Sequence, residues 1–315
     1  MNEKVVLGID LGGTNTVYAL VTESGKIVYS NKFPTTGYDC FKPLAEDIHS
    51  DISEFLLKNK GYKLLSVGVG APNGNFYNGT IEFAPNLPWK DEIPVKAILE
   101  ELFGLPSAVT NDANAAAYGE MLYGGARKMK DFAVVTLGTG LGSGIVTGGQ
   151  MLYGHRGFGG ELGHITVEDN GRRCGCGKRG CLETYVSATG IKNTVLEMLA
   201  SSGDDSLLRN EESLSGKIIE QAALKGDKIA LAAFELTGKY LGKALANYAT
   251  IFDPEAVFLF GGLSLAGDLI LNPTRKYMEP ELLKFHKGKI KLLLSQLDSN
   301  NAAILGAAAM AAMMG

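Results

Sequence analysis

Four residues of the types that bind zinc lie close together near the middle of the chain. His164 is followed by Cys174, Cys176 and Cys181, with glycines between the cysteines. One imidazole and three thiolates complete the tetrahedral shell of a structural Zn²⁺ ion, and a closed shell has no open position for catalysis. We therefore predict a zinc site that shapes a loop. Three thiols that bind no metal are the weaker alternative.

Two glycine-rich turns, each after an apolar strand pattern, could bind phosphate groups. They span residues 10–15 and 138–144, where backbone N–H groups and the hydroxyls of Thr14 and Thr139 would face a polyphosphate from both sides. Asp10 would hold Mg²⁺ through water. A single turn of this kind is more often an ordinary hairpin, and the pairing favours phosphate. A third glycine site, at 261–262 after AVFLF, suits an adenine or ribose, and a tight turn into the next helix is equally open. The predicted ATP and phosphate contacts are Asp10, Gly12, Gly13, Thr14, Asn15, Gly138, Thr139, Gly140, Gly261 and Gly262.

Asp112 is the candidate catalytic base. It precedes the helical pattern ANAAAYGEMLYG, which we expect to begin just after Asn111 and Asp112. A carboxylate within hydrogen-bond reach of an attacking hydroxyl can accept its proton during phosphoryl transfer. Capping of the helix by Asp112 is an equal alternative on position alone.

Further carboxylates and amides could pair with the hydroxyl groups of a sugar. Glu161 and Glu183 flank the cysteine cluster, and Asn86 and Asn111 come earlier in the chain. Such groups are needed because each hydroxyl of a buried sugar requires a hydrogen-bond partner. Taken one at a time, these residues are more often solvated surface.

The strand and helix pattern places these residues at the ends of strands. KVVLGI, VYALVT and IVYSNKF predict a three-stranded meander, and FAVVTL, GIVTGG and QMLYG repeat that pattern from residue 132. A repeat at long separation indicates a duplicated lobe. Strands that alternate with helices predict the α/β class with mixed sheets, and the length of 315 residues allows two lobes that share a cleft.

Composition narrows the range of partners. The net charge is −4 and no long basic run is present, which predicts neither nucleic acid nor membrane as the main partner. The apolar stretch at the N-terminus is too short for a signal peptide, and the Ala-rich segment 302–315 is too short to span a bilayer. We therefore expect a soluble, cytoplasmic protein.

Six segments together resemble the ROK family of bacterial sugar kinases, and most of all its glucokinases. They are DLGGTN (10–15), PNLPW (85–89), ND (111–112), LGTGLGSG (137–144), GGELGHI (159–165) and CGCGKRGCLE (174–183). The resemblance implies an α/β protein of the actin/hexokinase/Hsp70-like (ribonuclease H-like) fold, with two lobes around a cleft. We expect a small lobe at 1–112, with the C-terminal helix 301–315 packed back on it, and a larger lobe at 113–300 with the zinc loop 155–183.

The same resemblance implies ATP-dependent phosphorylation of a hexose at its 6-hydroxyl, with Asp112 as the base. It places on the sugar Asn86, Asn111, Asp112, Glu161, His164 and Glu183. One ring nitrogen of His164 would bind zinc while the other donates to a sugar hydroxyl. The implied cofactors are ATP with Mg²⁺ and a structural Zn²⁺, and a homodimer or homotetramer is expected. The chain departs from the family at Asn73, where members usually have glycine after the proline of a GxP turn.

Glucose is the expected acceptor. Kinases for N-acetylmannosamine, N-acetylglucosamine, fructose, mannose or allose stay open, because contacts to one hydroxyl or acetyl group decide among them. The family is also expected to include sugar-responsive repressors with an N-terminal helix-turn-helix. Here the first strand begins at about residue 4, so the alternative from that class is a sugar-responsive regulator without a DNA-binding domain.

Overall fold

The computed structural model describes residues 2–84, 86–298 and 301–314, and these divide into two compact units. The first unit contains the chain up to Lys128, the segment Met151–Gly159 and the residues from Gln296 onward. The second unit contains Met129–Gln150 and Gly160–Ser295.

Strands and helices alternate along the described chain, as the α/β pattern predicts. In chain order the strands are β1 (Glu3–Leu11), β2 (Asn15–Thr22), β3 (Ile27–Pro34), β4 (Tyr62–Gly70), β5 (Gly74–Asn75), β6 (Thr80–Ile81), β7 (Ser107–Thr110), β8 (Phe132–Leu137), β9 (Leu141–Thr147), β10 (Gln150–Met151), β11 (Ala256–Phe260) and β12 (Lys291–Leu294). The helices are α1 (Phe41–Lys58), α2 (Val95–Phe103), α3 (Asp112–Leu122), α4 (Ala188–Ser201), α5 (Gly216–Leu224), α6 (Lys228–Phe252), α7 (Asp268–Glu281) and α8 (Ala302–Ala312). Short 3-10 turns at Leu162–His164 and Leu182–Thr184 carry His164 and Glu183.

The first unit is built on a five-stranded sheet in the order β3-β2-β1-β4-β7. Strands β1, β2 and β3 are antiparallel neighbours, which confirms the predicted meander. Strands β1, β4 and β7 run parallel. Their carboxyl ends therefore share one edge of the sheet, which is where open α/β sheets bind ligands.

Apolar side chains cover both faces of this first sheet. On one face Leu7 of β1 belongs to a buried cluster with Ile48 of α1 and Leu99 of α2. On the other face Val6 clusters with Ala308 of α8. The two clusters follow from the sequence of β1, because successive side chains of a strand point to opposite faces.

Helix α8 lies so close to the first sheet that two strand positions require glycine. A Cβ atom on Gly68 would lie 2.0 Å from the Ala307 carbonyl oxygen, and one on Gly8 would lie 2.4 Å from that of Ile304. The Ser66 hydroxyl also donates to the backbone carbonyl of α8. The small side chains of this Ala-rich helix permit the close approach, and packing against a sheet accounts for its apolar composition. No helix among the described residues is both long enough and apolar enough to cross a membrane.

The second unit repeats the topology of the first. Its sheet has the order β10-β9-β8-β11-β12, with β8 and β9 antiparallel and with β8, β11 and β12 parallel. This is the strand order of the first sheet, as the repeat from residue 132 predicts. Helices α6 and α7 pack so closely that a Cβ atom on Gly238 of α6 would lie 2.5 Å from Pro273 of α7.

Candidate functional site

Two carboxylates lie near the carboxyl edge of the first sheet. Asp10 of β1 pairs with Gly70 of β4, and Gly70 pairs with Thr110 of β7. Asp112 follows Thr110 by two residues and begins α3. The parallel register therefore brings Asp112 to the edge where Asp10 lies, close enough for the two charges to interact.

Asn111 caps helix α3, and the Asp112 carboxylate takes no part in the cap. Asn111 Oδ1 accepts a hydrogen bond from the Asn114 N–H at 2.7 Å, and Asp112 is the first helical residue. The expectation that the helix begins after both residues is therefore wrong by one position, and so is the alternative of Asp112 as the cap. The Asp112 side chain is exposed and can reach a ligand.

Partial loss of solvation raises the pKa of both carboxylates. Burial, followed by the negative charge of Asp112, raises the pKa of Asp10 to about 6. Burial also raises the pKa of Asp112, and a hydrogen bond from its own backbone N–H opposes the effect. Asp112 thus has accessible surface while protein atoms displace much of its bulk solvent. A carboxylate in this setting is a better proton acceptor near neutral pH than an ordinary aspartate.

The first glycine turn is a tight loop with accessible polar groups. The Gly12 N–H donates to the Asn15 carbonyl at 3.1 Å, and the side chains of Thr14 and Asn15 are exposed. A Cβ atom on Gly13 would lie 2.1 Å from the Asn86 carbonyl oxygen. Glycine is therefore required at this position for the predicted sugar contact Asn86 to lie beside the predicted phosphate turn.

A buried threonine that the sequence analysis missed supports this turn. The Thr35 hydroxyl donates to the Gly12 carbonyl at 2.7 Å, and its oxygen lies 2.8 Å from Thr16 Oγ1. The Thr35 N–H also donates to the Thr14 carbonyl at 2.9 Å. The sequence offers no signal for this role, because threonine after a strand is ordinary turn composition.

Asn73, the departure from the family pattern, has a left-handed backbone conformation. Its φ is +54°, in the left-handed region that asparagine tolerates better than most residues. Its amide donates to the Glu82 carbonyl at 2.9 Å. Asparagine and glycine are the two residues that tolerate this conformation best. Pro85, which begins the PNLPW segment, lies outside the described residues.

Two glycine sites meet at the carboxyl edge of the second sheet. Gly138, Thr139 and Gly140 link β8 to β9, and the Gly138 carbonyl accepts from the N–H of Ala188 in α4 at 2.9 Å. Gly261 follows β11 with a φ of +98°, and a Cβ atom there would lie 2.8 Å from the Leu137 carbonyl oxygen. Only glycine combines this φ with such close contact to the end of β8.

A cavity of about 360 Å³ lies in the second unit next to the loop that begins with Gly261 and Gly262. It opens between α6 and the start of α7, and its apolar walls carry two acidic groups. It is lined by Leu231, Ala232, Phe234, Glu235, Asp268, Leu269 and Pro273. It opens widely to solvent, and its lining does not include Gly261 or Gly262.

The predicted zinc ligands converge in the second unit. The ligand atoms of His164, Cys174, Cys176 and Cys181 all lie within 4.8 Å of one another. Cys174 Sγ is 3.6 Å from His164 Nδ1, and Cys176 Sγ is 3.7 Å from Cys181 Sγ. Zinc bonds of about 2.3 Å to sulfur and about 2.0 Å to nitrogen imply tetrahedral edges of roughly 3.5 Å between sulfur and nitrogen and roughly 3.8 Å between two sulfurs. The four residues therefore fit a Zn²⁺ ion, and Nδ1 is the histidine nitrogen that would bind it.

Two glutamates flank the histidine of this cluster. His164 Nδ1 is 3.8 Å from Glu183 Oε1, and Nε2 is 3.9 Å from Glu161 Oε2. Cys174 Sγ donates to Glu183 Oε1 at 2.9 Å. A Cβ atom on Gly140 would lie 2.7 Å from Glu183 Oε2. Glu183 therefore lies between the cysteine cluster and the second glycine turn, while His164 Nε2 points toward Glu161.

Each unit thus gathers part of the predicted set. The first unit holds Asp10, Gly12, Gly13, Thr14, Asn15, Asn86, Asn111 and Asp112. The second unit holds Gly138, Thr139, Gly140, Glu161, His164, Cys174, Cys176, Cys181, Glu183, Gly261 and Gly262.

Comparison with known proteins agrees with this fold and residue set. The family model described as "ROK family" matches residues 6–313, and the chain belongs to the ROK family. The glucokinase of Streptomyces coelicolor is 34% identical over 98% of this chain and 97% of its own length.

Solved structures of the family superpose on nearly the whole chain. A ROK family glucokinase from Streptomyces griseus in complex with glucose and AMPPNP has a TM-score of 0.77 and 34% identity, covering 98% of this chain and 99% of that one. A ROK family transcriptional regulator, a homologue of the E. coli MLC protein, has a TM-score of 0.85 and 27% identity, covering 98% of this chain and 77% of that one. The predicted actin/hexokinase-like α/β fold is confirmed.

Proposed function

We propose that this protein transfers the γ-phosphoryl group of ATP to the 6-hydroxyl of a hexose, with glucose as the preferred acceptor. The observation that carries the proposal is the Asp112 carboxylate, which is exposed at the start of α3 while Asn111 provides the cap. The two Streptomyces glucokinases match this chain over almost their full length, and the structure of one of them contains glucose and AMPPNP. Sugar kinase activity, predicted from the sequence, agrees with the names of these relatives.

Asp112 is the general base in this proposal. The sugar oxygen attacks the γ-phosphorus, the bond from that phosphorus to the bridging oxygen of ADP breaks, and the hydroxyl proton passes to the Asp112 carboxylate. Burial raises the pKa of Asp112 toward the operating pH, which makes its carboxylate a stronger base. Asp10 would hold the Mg²⁺ ion, through water, because this cation keeps much of its hydration.

Main-chain groups of the glycine turns bind the nucleotide. The turn of Gly12, Gly13, Thr14 and Asn15 and that of Gly138, Thr139 and Gly140 each present N–H groups and a threonine hydroxyl to phosphate oxygens. Gly261 and Gly262, at the end of β11, lie against the nucleoside in this proposal.

Amide, carboxylate and imidazole side chains bind the sugar. Asn86, Asn111, Glu161, His164 and Glu183 pair with its hydroxyls. His164, Cys174, Cys176 and Cys181 would hold the Zn²⁺ ion, which supplies no reactive group and fixes the loop. With Nδ1 turned to the cysteines, Nε2 of His164 is the nitrogen that donates to the sugar.

An assay that couples ADP release to a chromogenic reaction tests the proposal. Glucose, mannose, fructose, allose and the two N-acetylhexosamines are offered in turn with ATP as donor. With polyphosphate as donor, which yields no ADP, the sugar phosphate formed is measured instead. We expect the highest kcat/KM with glucose and ATP. A higher kcat/KM with an N-acetylhexosamine than with glucose would show that the N-acetylhexosamine is the preferred acceptor. No turnover with any sugar, together with sugar binding in calorimetry, would favour the regulator without a DNA-binding domain. Tight, salt-sensitive DNA binding in a mobility-shift experiment would favour a repressor instead.

We also propose a cytoplasmic location and an assembly of two or four copies. Three cysteines kept reduced for a metal fit the cytoplasm, where thiols stay reduced. The assembly into two or four copies rests on the family resemblance, and light scattering of the purified protein measures it.

A further inference from the structure

Arg172 makes an unusually complete set of contacts within the second unit. Its side chain is largely buried, at 13% exposure. An arginine has five N–H donors, and here every one has an acceptor. Nε and Nη2 donate to the Glu197 carboxylate, Nη1 donates to the carbonyls of Thr184 and Gly190, and Nη2 also donates to Thr194 Oγ1.

The Arg172 guanidinium also stacks over the Tyr185 ring, 4.4 Å from its centroid. The Tyr185 hydroxyl accepts from the Arg172 backbone N–H at 3.0 Å. These contacts hold the arginine plane in one orientation. The acceptors lie on the 3-10 turn that ends at Thr184 and along α4, so the side chain joins these two elements.

The backbone of Arg172 belongs to a different part of the unit, the cysteine loop. Its carbonyl accepts from the Gly180 N–H at 2.9 Å, directly before Cys181. Arg172 therefore connects the loop that carries the cysteines with the turn that carries Glu183.

Glu183 is fixed on both sides by these contacts. Its own carbonyl accepts from the Ser187 hydroxyl at 2.7 Å, and the carbonyl of the next residue, Thr184, accepts from Arg172 Nη1 at 2.7 Å. Its carboxylate lies 2.9 Å from Cys174 Sγ and 3.5 Å from the Leu141 N–H. A small rotation of this turn would move the carboxylate away from both.

We propose that Arg172 is the positioning residue for Glu183 in sugar binding. The inference rests on the proposed function, in which Glu183 contacts the sugar. Arg172 touches no substrate in this scheme and acts through the backbone of the turn. Lysine has three donors on a flexible stem and cannot bind two carbonyls, a hydroxyl and a carboxylate in one plane.

The test compares Arg172→Lys with Arg173→Lys, a matched change at the adjacent, exposed arginine. For Arg172→Lys we expect the glucose KM, and the glucose Kd from calorimetry, to rise about 10- to 100-fold, as for displacement of a binding group by about 1 Å. The KM for ATP should stay within about twofold, and zinc content should stay at one ion per chain. Arg173→Lys should resemble wild type in all four measurements.

A double-mutant cycle with Glu183→Gln distinguishes positioning from general stability. If Arg172 acts through Glu183, Arg172→Lys should add less than about threefold to the sugar Kd in the Glu183→Gln background. Full additivity would overturn the proposal, and so would a lowered melting temperature with unchanged sugar affinity, or loss of zinc in Arg172→Lys. Because calorimetry needs no turnover, a wild type that binds sugar but releases no ADP would contradict the proposed activity and leave the positioning test valid.

Discussion

The two sheets have the same strand order but carry different chemistry at their carboxyl edges. The first sheet places Asp10 one residue before the end of β1, and the second places Thr136 one residue before the end of β8. Asp10 is a partly buried carboxylate with a raised pKa. Thr136 is neutral, and its hydroxyl accepts from the Gly142 N–H at 3.1 Å.

Under the proposed function, this difference gives the two repeats separate tasks. Both glycine turns can bind phosphate through main-chain groups, which need no particular side chain. In the predicted set, the carboxylates for Mg²⁺ and for the acceptor proton lie in the first unit, while the cysteine loop lies in the second. Changes to these two carboxylates should therefore affect the chemical step, and changes to the cysteine loop should affect binding.

The largest effect should come from the first unit, at Asp112. Asp112→Asn removes the proton acceptor without removing the cap that Asn111 provides. We expect kcat to fall about 10²- to 10⁴-fold. The melting temperature should not fall, because the substitution removes a charge that burial disfavours. Steady-state kinetics together with a thermal melt measure both. Equal kcat for wild type and variant would exclude Asp112 as the base.

The next largest effect should come from the zinc loop. Cys176→Ser, or treatment with a chelator, should raise the glucose Kd about 10- to 100-fold and change the ATP Kd much less, because His164 and Glu183 lie on the affected loop. Cys40→Ser is the matched control, since Cys40 is exposed and lies outside the cluster. Calorimetry and metal analysis measure the outcome. Unchanged sugar affinity in zinc-free protein would show that the zinc-bound loop does not contribute to sugar binding.

The carboxylates of the first unit should also cost stability. The folded-state pKa of Asp10 is about 6, raised from 3.8. The folded protein therefore binds this proton more tightly than the unfolded chain does. The stabilising contribution of the proton is complete below about pH 4 and is lost as the pH rises through about 6.

Asp10→Asn should therefore stabilise the protein at neutral pH and have little effect near pH 4. Without Mg²⁺ we expect a gain of roughly 1–3 kcal/mol at about pH 7.5, which raises the melting temperature by about 2–8 °C. Thermal melts at the two pH values measure the difference. An equal shift at both would show that charge burial is not the cause.

The smallest effect should come from the second glycine turn. Thr139→Ala removes one neutral hydroxyl and leaves the main-chain donors, so the ATP KM should rise only about two- to tenfold. Thr147→Ala is a matched control in the same hairpin, where the hydroxyl donates to Asp131. It should leave the ATP KM unchanged. An effect of Thr139→Ala on kcat as large as that of Asp112→Asn would contradict the division of tasks.

Local patterns in the sequence predicted most of the fold. The meander and the repeated sheet follow from apolar periodicity and glycine turns, which act over a few residues. The cysteine cluster was equally predictable because three of its ligands lie within eight positions. What could not be predicted depends on single atoms. Two adjacent polar residues, Asn111 and Asp112, lie at the start of α3, and only the geometry shows that Asn111 is the cap.

Contacts between distant segments were also out of reach. Thr35 binds the carbonyl of Gly12, and Arg172 binds that of Thr184. Hydrogen bonds to main-chain carbonyls leave no mark on the residue that accepts them, because every residue has a carbonyl. The stacking of Tyr153 on Phe76, at 4.3 Å between centroids, joins segments that have no related pattern.

The position of α8 has a consequence for how the protein is made. The hydrogen bond from Ser66 to Ala311 spans 245 residues. On the ribosome, β1 and β4 emerge long before residues 302–312, so the apolar surface around Val6 and Val21 has no cover during most of translation. Such surface promotes aggregation of nascent chains and attracts chaperones. The first unit to be synthesised is therefore the last that can complete its core.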